Sequence, residues 1–232
     1  MIVKGNNYIM TQSINEKDYF APQISKSNRK IMIQYQRMFR FVGLEHYLPN
    51  GPALDIGCGA GPGLRYLTKR GANVFGADAS RYALHHAQQI IPNAAFVEIN
   101  ALTIFPFADV TFGLILANEI VEHLTNGIFF LRECYRILRP GGVIILTTPN
   151  LWDIRRVTHP LIGKVWSGDT DPTHINLYTP KRLHTELADC GFQYPRVRTG
   201  FKPMHWFPPH HNPIALPYPP WVGNGIVASG VR

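Results

Sequence analysis

Acidic side chains are scarce in this 232-residue chain: 15 Asp and Glu stand against 23 Lys and Arg, for a formal net charge of +8. That excess favours anionic partners in general. Yet the cations come only in short pairs, such as Arg29-Lys30, Arg155-Arg156 and Lys181-Arg182, and no basic run of five or six is present. A solvated basic surface is expected, and a nucleic-acid groove is not. Cysteine is also rare. Cys58, Cys134 and Cys190 show no C-x-x-C spacing, which points to free thiols in a reducing compartment and a cytoplasmic location. Long apolar runs are missing too. Met1 to Phe20 mixes Lys, Asn, Glu and Asp with isolated apolar residues, so neither a signal peptide nor a membrane span is expected. Internal repeats and low-complexity tracts are absent.

What is present describes a globular protein: 45% hydrophobic and 16% charged residues, in a length that suits one core. Residues 1–25 read as a mobile N-terminal arm and 26–232 as a single domain. Ser25 or Ser27 can cap a helix to about Tyr47, with Ile31, Ile33, Tyr35, Met38, Phe39 and Val42 as its apolar stripe, before Pro49-Asn50-Gly51-Pro52 breaks it. Strand and helix signals then alternate. Strands are expected at Ala53–Ile56, Asn73–Ala77, Ala95–Ile99, Phe112–Ala117 and Val143–Thr148. Helices are expected at Gly61–Arg70, Tyr82–Ile91 and Asn126–Leu138. A last helix at Lys181–Cys190 precedes strands at about Tyr194–Thr199 and Gly225–Ser229. Between those strands, about 201–222 is an insertion dense in Pro, aromatics and His, including His205, His210 and His211. It reads as an ordered aromatic flap, either a surface connection or, the reading favoured, a wall for an apolar acceptor. The fold class expected is α/β: a Rossmann-like, seven-stranded, mostly parallel sheet with helices on both faces, an N-terminal helical lid and this aromatic, Pro-rich insertion.

The most informative stretch is Ala53-Leu54-Asp55-Ile56-Gly57-Cys58-Gly59-Ala60-Gly61-Pro62-Gly63. It reads as a buried strand, a glycine-rich turn and a helix start, which together let backbone approach a ligand closely. A dinucleotide fingerprint would need Gly or Ala where Pro62 stands. Asp55 would also repel a pyrophosphate, whereas it suits a cationic amino group. The pattern resembles motif I, D/E-x-G-x-G-x-G, of the class I S-adenosylmethionine-dependent methyltransferases, and it is similar to ubiquinone-pathway O-methyltransferases. Later residues extend the resemblance: Asp78, 21 positions after Gly57, then Phe105-Pro106-Phe107-Ala108-Asp109, Glu122-His123-Leu124 and Leu138-Arg139-Pro140-Gly141-Gly142.

The resemblance implies S-adenosyl-L-methionine as cofactor and S-adenosyl-L-homocysteine as product. It places the methionine portion against Asp55, Gly57, Cys58, Gly59 and Gly61, and the ribose at Asp78 and Ala79. Adenine would lie at Asn100 and Ala101, with Asn118 beside the cofactor. Relatives commonly carry Asp where this chain has Asn100, and Asp where it has Gly113. In a subset of relatives, two Glu and a His in E-x-x-E-H, with a later His, bind a divalent ion. Glu119, Glu122, His123 and His174 match those positions. The reading adopted assigns no metal ligand and takes His123 and His174 as general bases, because imidazole titrates near neutrality. Tyr19 and Phe20 resemble an aromatic pair that closes such sites. The function expected is methyl transfer to an oxygen, less readily a nitrogen or carbon, of a small-molecule acceptor. RNA 2′-O-methylation and a non-catalytic binding subunit are the alternatives, and the oligomeric state is left open.

Overall fold

A computed structural model describes residues 15–166, 168–200, 223 and 225–232. Its elements are α1 (Glu16–Ile24), α2 (Asn28–Phe41), β1 (Ala53–Ile56), α3 (Pro62–Lys69), β2 (Val74–Asp78), α4 (Arg81–Ile90) and β3 (Ala95–Glu98). There follow β4 (Phe112–Asn118), a 3-10 turn (Val121–His123), α5 (Gly127–Ile137), β5 (Leu138–Pro149), α6 (Arg155–Thr158) and a second 3-10 turn (Pro160–Ile162). The described chain ends with α7 (Pro180–Asp189), β6 (Gln193–Thr199) and β7 (Gly225–Val231). The seven strands form one sheet in the order β3-β2-β1-β4-β5-β7-β6. Only the pairings of β7 with β5 and β6 are antiparallel. This is the Rossmann-like, mostly parallel sheet that the alternating pattern implies.

Local chemistry starts the helices. Ser27, Ser80, Asn126 and Thr179 each offer a side-chain oxygen to a backbone N–H in the first turn of α2, α4, α5 and α7. The central strand β4 is buried on both faces and divides its side chains between two cores. Phe112, Ile115 and Ala117 pack with Phe130 and Leu131 of α5 and Leu183 and Leu187 of α7. Leu114 and Leu116 face Ile31, Met38, Leu64 and Leu84 of α2, α3 and α4. Helices therefore cover both faces, as a parallel sheet requires. No helix among the described residues is long and apolar enough to cross a membrane.

Several boundaries differ from the sequence reading. Part of the segment read as a mobile arm is helical: Asn15 caps α1, and Phe20 is buried. The second helix stops at Phe41 instead of Tyr47. Gly43 takes a φ of +73°, and the Leu44 N–H closes back on the Phe39 carbonyl at 2.8 Å, a left-handed cap that ends the helix. Strand β5 begins at Leu138 because Leu138 pairs with Phe112 before a register shift. Pro195 is tolerated in β6 because that strand lies at the sheet edge. The short elements between Arg155 and Ile162 carry no periodic signal and were not expected. The aromatic flap at 201–222, with His205, His210 and His211, lies outside the described residues.

Two sequence features find a structural cause. In Phe105-Pro106-Phe107-Ala108-Asp109, Arg136 of α5 donates to the carbonyls of Phe105 and Phe107 and pairs with Asp109 at 2.6 Å. That motif ties a loop to a helix. Gly113, the departure after Phe112, has no room for a side chain: a Cβ there would lie 2.7 Å from the Asn50 carbonyl oxygen, with backbone on every near contact. Gly113→Ala is expected to lower stability by about 1–3 kcal/mol through overpacking. Denaturant titration checks this, and an unchanged midpoint would contradict it.

Candidate functional site

Register builds the site. Ile56 pairs with Ala77 on one side and Ala117 on the other, so Gly57, Asp78 and Asn118 leave the sheet side by side at its C-terminal edge. Strand order reverses here, between β1 and β4, and such a switch point opens a crevice beyond the strand ends. The crevice holds about 270 Å³ and is walled by Gly57, Gly59, Asp78, Asn118 and Glu119 on the sheet side. Tyr19, Phe20 and Gln23 close it from α1, and His123, Asp171, Thr173 and His174 close the far wall. A second crevice of about 180 Å³ shares Gly57, Asn118 and Gln23 and reaches Asp55, Cys58, Lys26 and Gln34.

The loop after β1 must be glycine at two positions. Gly57 and Gly59 have φ of +69° and +51°, and a Cβ would meet the Ile120 side chain at 1.9 Å or Gln23 Oε1 at 2.2 Å. The loop is also held from outside. Asp78 accepts the Gly59 N–H at 2.8 Å and the Ser80 N–H at 2.9 Å. A carboxylate so fixed keeps further lone pairs for the hydroxyls of a ribose. Burial raises the Asp78 pKa, against the backbone donors of Ser80, Gly59 and Ala79. Asp55 is buried beneath α3, and its pKa lies well above the usual carboxylate range. Burial is the main cause and the Asp78 charge adds to it, against a hydrogen bond from the Leu64 backbone. A cationic amino group nearby would reverse that shift.

The other sequence-named cofactor residues divide. Cys58 lines the second crevice, with its thiol pushed up by burial. Gly61 caps α3 with a φ of +85° and packs toward Ala87 and Ile91. Ala79, Asn100 and Ala101 are not among the residues lining the two crevices. The Asn100 side-chain oxygen instead accepts the Leu102 N–H at 2.9 Å. Sequence reasoning missed Gln23, whose Oε1 accepts the Ala60 N–H at 3.1 Å and which lines both crevices. It also missed Ile120, over Gly57. Neither carries a recognisable pattern, since a lone Gln before Ile24 or a lone Ile between two Glu is unremarkable.

On the far wall, the His123 and His174 rings lie 4.9 Å apart. Thr173 donates its hydroxyl to Asp171 at 2.5 Å. Its oxygen is then left to accept from His123 Nδ1 at 2.8 Å. His174 Nδ1 donates to the Gly168 carbonyl at 2.7 Å. The Thr173 and Gly168 carbonyls face Nδ1 of the two rings, which favours a lone pair on His123 Nε2, whereas His174 Nε2 lies 3.9 Å from Asp171 Oδ2. Burial lowers the His123 pKa, and the neighbouring His174 lowers it further. Tyr19 is pushed up to about 12, first by burial and then by the charges of Asp171, Glu122, Asp78 and Glu119, so its hydroxyl stays protonated. Glu122, His123 and His174 bring one ligand atom each within 4.8 Å of one another, a set that could hold a metal ion. Glu119 is not in that group. Its backbone is left-handed, and its carboxylate accepts from the Thr147 hydroxyl at 3.0 Å.

Residues 54–146 match a family model described as a methyltransferase domain. Residues 54–146 thus resemble a methyltransferase domain. It is 30% identical over 132 residues to a probable S-adenosylmethionine-dependent methyltransferase of Mycolicibacterium smegmatis, covering 56% of this chain and 49% of that one. It is 38% identical over 103 residues to a ubiquinone biosynthesis O-methyltransferase of Rhizobium leguminosarum, covering 42% and 40%. The chain thus spans about half the length, or less, of these curated relatives. Its fold matches the crystal structure of a SAM-dependent methyltransferase from Archaeoglobus fulgidus with a TM-score of 0.67, at 16% identity, over 94% of this chain and 100% of that one. The family's cofactor fits the residues present: a loop with no Cβ at its closest approach, an anchored carboxylate at Asp78 and a buried one at Asp55.

Asp55 gives this site a pH signature. Its folded-state pKa is raised, so the folded chain holds that proton more tightly than the unfolded chain does. Its contribution to stability is fully present below the unfolded carboxylate value of about 4 and is lost as pH rises through the native value. Thermal melts of the cofactor-free protein are expected to fall more steeply with pH over that interval than those of Asp55→Asn. Parallel curves for the two proteins would contradict the assignment.

Proposed function

We propose that this domain transfers the methyl group of S-adenosylmethionine to an oxygen of a small acceptor, with His123 or His174 taking the acceptor's proton. One observation supports the reading: two imidazoles, His123 and His174, with His174 Nε2 3.9 Å from the Asp171 carboxylate, share a crevice with Gly57, Gly59 and Asp78. The cofactor supplies an electrophilic methyl on a sulfonium. Gly57 and Gly59 admit its amino-acid portion, Asp55 offers a counter-charge to its ammonium group, and Asp78 receives the ribose hydroxyls. An acceptor oxygen must then be held about 3–3.5 Å from the methyl carbon and lose a proton as it attacks. An oxygen acceptor is favoured because a hydroxyl needs such a base more than an amine does. Tyr19 and Phe20, with ring centroids 5.0 Å apart, support an acceptor with an apolar body. The buried free thiols of Cys58, Cys134 and Cys190 support a reducing compartment.

A second reading rests on the closeness of Glu122, His123 and His174. One carboxylate and two imidazoles suit a divalent ion such as Mn or Zn. Bound there, such an ion would supply Lewis-acid polarisation of an acceptor hydroxyl, and the histidines would be ligands and not bases.

Four measurements test these roles. Asp78→Ala is expected to weaken S-adenosylmethionine binding at least ~10-fold by calorimetry, since it removes a charged acceptor worth about 1.5–3 kcal/mol. Wild-type affinity in a folded variant would remove the ribose assignment. His123→Asn should lower kcat by about 100-fold or more with cofactor affinity retained. Because the His123 pKa is lowered, its base form persists into mildly acidic solution, and the wild-type rate is expected to fall only below the ordinary imidazole range. Full activity in excess chelator supports the metal-free reading, whereas loss restored by Mn or Zn establishes the second.

A further inference from the structure

Six large apolar side chains stand exposed between Trp152 and Val165: Trp152, Ile154, Val157, Leu161, Ile162 and Val165. Four of them are more exposed than buried, Leu161 at 81%, Val157 at 68%, and Ile162 and Val165 at 64% each. This concentration in one short surface segment is far from the scattered single residues of an ordinary surface.

The segment is fastened from within. Asp153 is 2% exposed, and its carboxylate accepts from Trp166 Nε1 at 3.1 Å and from the Arg155 backbone N–H and Nε at 3.0 Å each. Arg155 Nη2 completes the pair at 2.5 Å. Trp166 is itself buried, at 1% exposure. The inner side between these anchors is therefore occupied, and the intervening apolar side chains are turned outward. Arg156 leans over the Trp166 ring, 5.9 Å from its centroid, and pairs with Asp169 at 3.5 Å, so Lys164, exposed between Ile162 and Val165, is the cation that faces outward. Asp153 is the single carboxylate from Trp152 to Trp166, and it is buried and paired.

We propose that this segment is a platform that docks onto the surface of an anionic lipid bilayer. Apolar side chains interleaved with cations match the boundary between headgroups and acyl chains, with Lys164 reaching its ammonium to the phosphates. The formal charge of +8 adds a long-range attraction to such a surface. A protein partner fits less well, because Lys is depleted from protein–protein interfaces. The platform also runs directly into the crevice wall. Gly168, two residues past Trp166, holds His174, and Asp171 and Thr173 follow. Resting on the methyl-transfer reading, the docked segment would bring the acceptor wall next to the bilayer and favour an apolar acceptor drawn from it.

Co-sedimentation with vesicles of phosphatidylcholine alone, or mixed with phosphatidylglycerol, tests the platform. The wild-type chain is expected to bind the mixed vesicles, to bind plain phosphatidylcholine weakly, and to be released by high salt. The double variant Leu161→Asp/Ile162→Asp should reduce partitioning at least ~10-fold, with its melting temperature and calorimetric affinity for S-adenosylmethionine unchanged. Lys164→Glu should weaken binding to the mixed vesicles alone. Absence of vesicle binding by the wild type would overturn the proposal, as would binding that the double variant retains. If the double variant instead turns a dimer into a monomer in sedimentation and the wild type ignores vesicles, the face joins two copies of this chain. Failure of cofactor binding in the wild type would overturn the methyl-transfer reading and leave the vesicle result standing.

Discussion

The carboxylate of Asp78 joins two strands at the point where they stop being a sheet. By accepting the Gly59 N–H at 2.8 Å, it fastens the loop after β1 to the end of β2. The Ser80 N–H fixes its other oxygen and Ser80 then caps α4, so one side chain sets loop, strand end and helix start together. The loop can be held this closely because Gly57 and Gly59 take left-handed backbone angles and carry no Cβ. A side chain at either position would strike Ile120 or Gln23. In the function proposed, the same carboxylate receives the ribose, so its structural and ligand roles would coincide.

Charge is distributed unevenly around that clamp. The sheet side holds two buried carboxylates, Asp55 and Asp78, both pushed toward the neutral form by lack of water. The opposite wall holds two imidazoles, and burial together with the neighbouring His174 pushes His123 toward its neutral form as well. Asp171 stays ionised more readily than usual: burial opposes its charge, but the Thr173 hydroxyl and N–H and both histidines outweigh that cost. It orients His123 through Thr173 without touching the ring. In the function proposed, a cationic sulfonium nucleoside between these walls would have carboxylates at its amino-acid and ribose ends and the imidazoles on its methyl side.

Much of the fold is visible in the residues themselves. Ala53–Ile56 coincides with β1, and the continuous apolar runs within Phe112–Ala117 and Val143–Thr148 report strands buried on both faces. Caps at Ser27, Asn126 and Thr179 mark helix starts because their chemistry is local. The end of α2 was less legible, since Gly43 closes it with a backbone cap inside what reads as a continuing apolar stripe. The helix α1 was read as an arm because nine residues containing Pro22 give a weak pattern, and Phe20 gains its burial only by docking. Asn100 and Ala101 are carried over from relatives by position, and the Asn100 oxygen accepts the Leu102 N–H. Fold-level analogy places a loop and leaves its hydrogen bonds open.

The sequence by itself determined the α/β class, the glycine loop, and the acidic residues near the ends of the first two strands, because each depends on neighbours a few positions away. Only the tertiary structure decided which distant groups meet. Thr173 and Asp171 reach His123 across 50 residues, Gln23 reaches Ala60 from a separate helix, and Glu122 joins His174 while Glu119, three positions earlier, turns to Thr147. Such contacts are set by strand order and loop return. Neither is written in local periodicity, since both follow from how two packed cores share one twisted sheet.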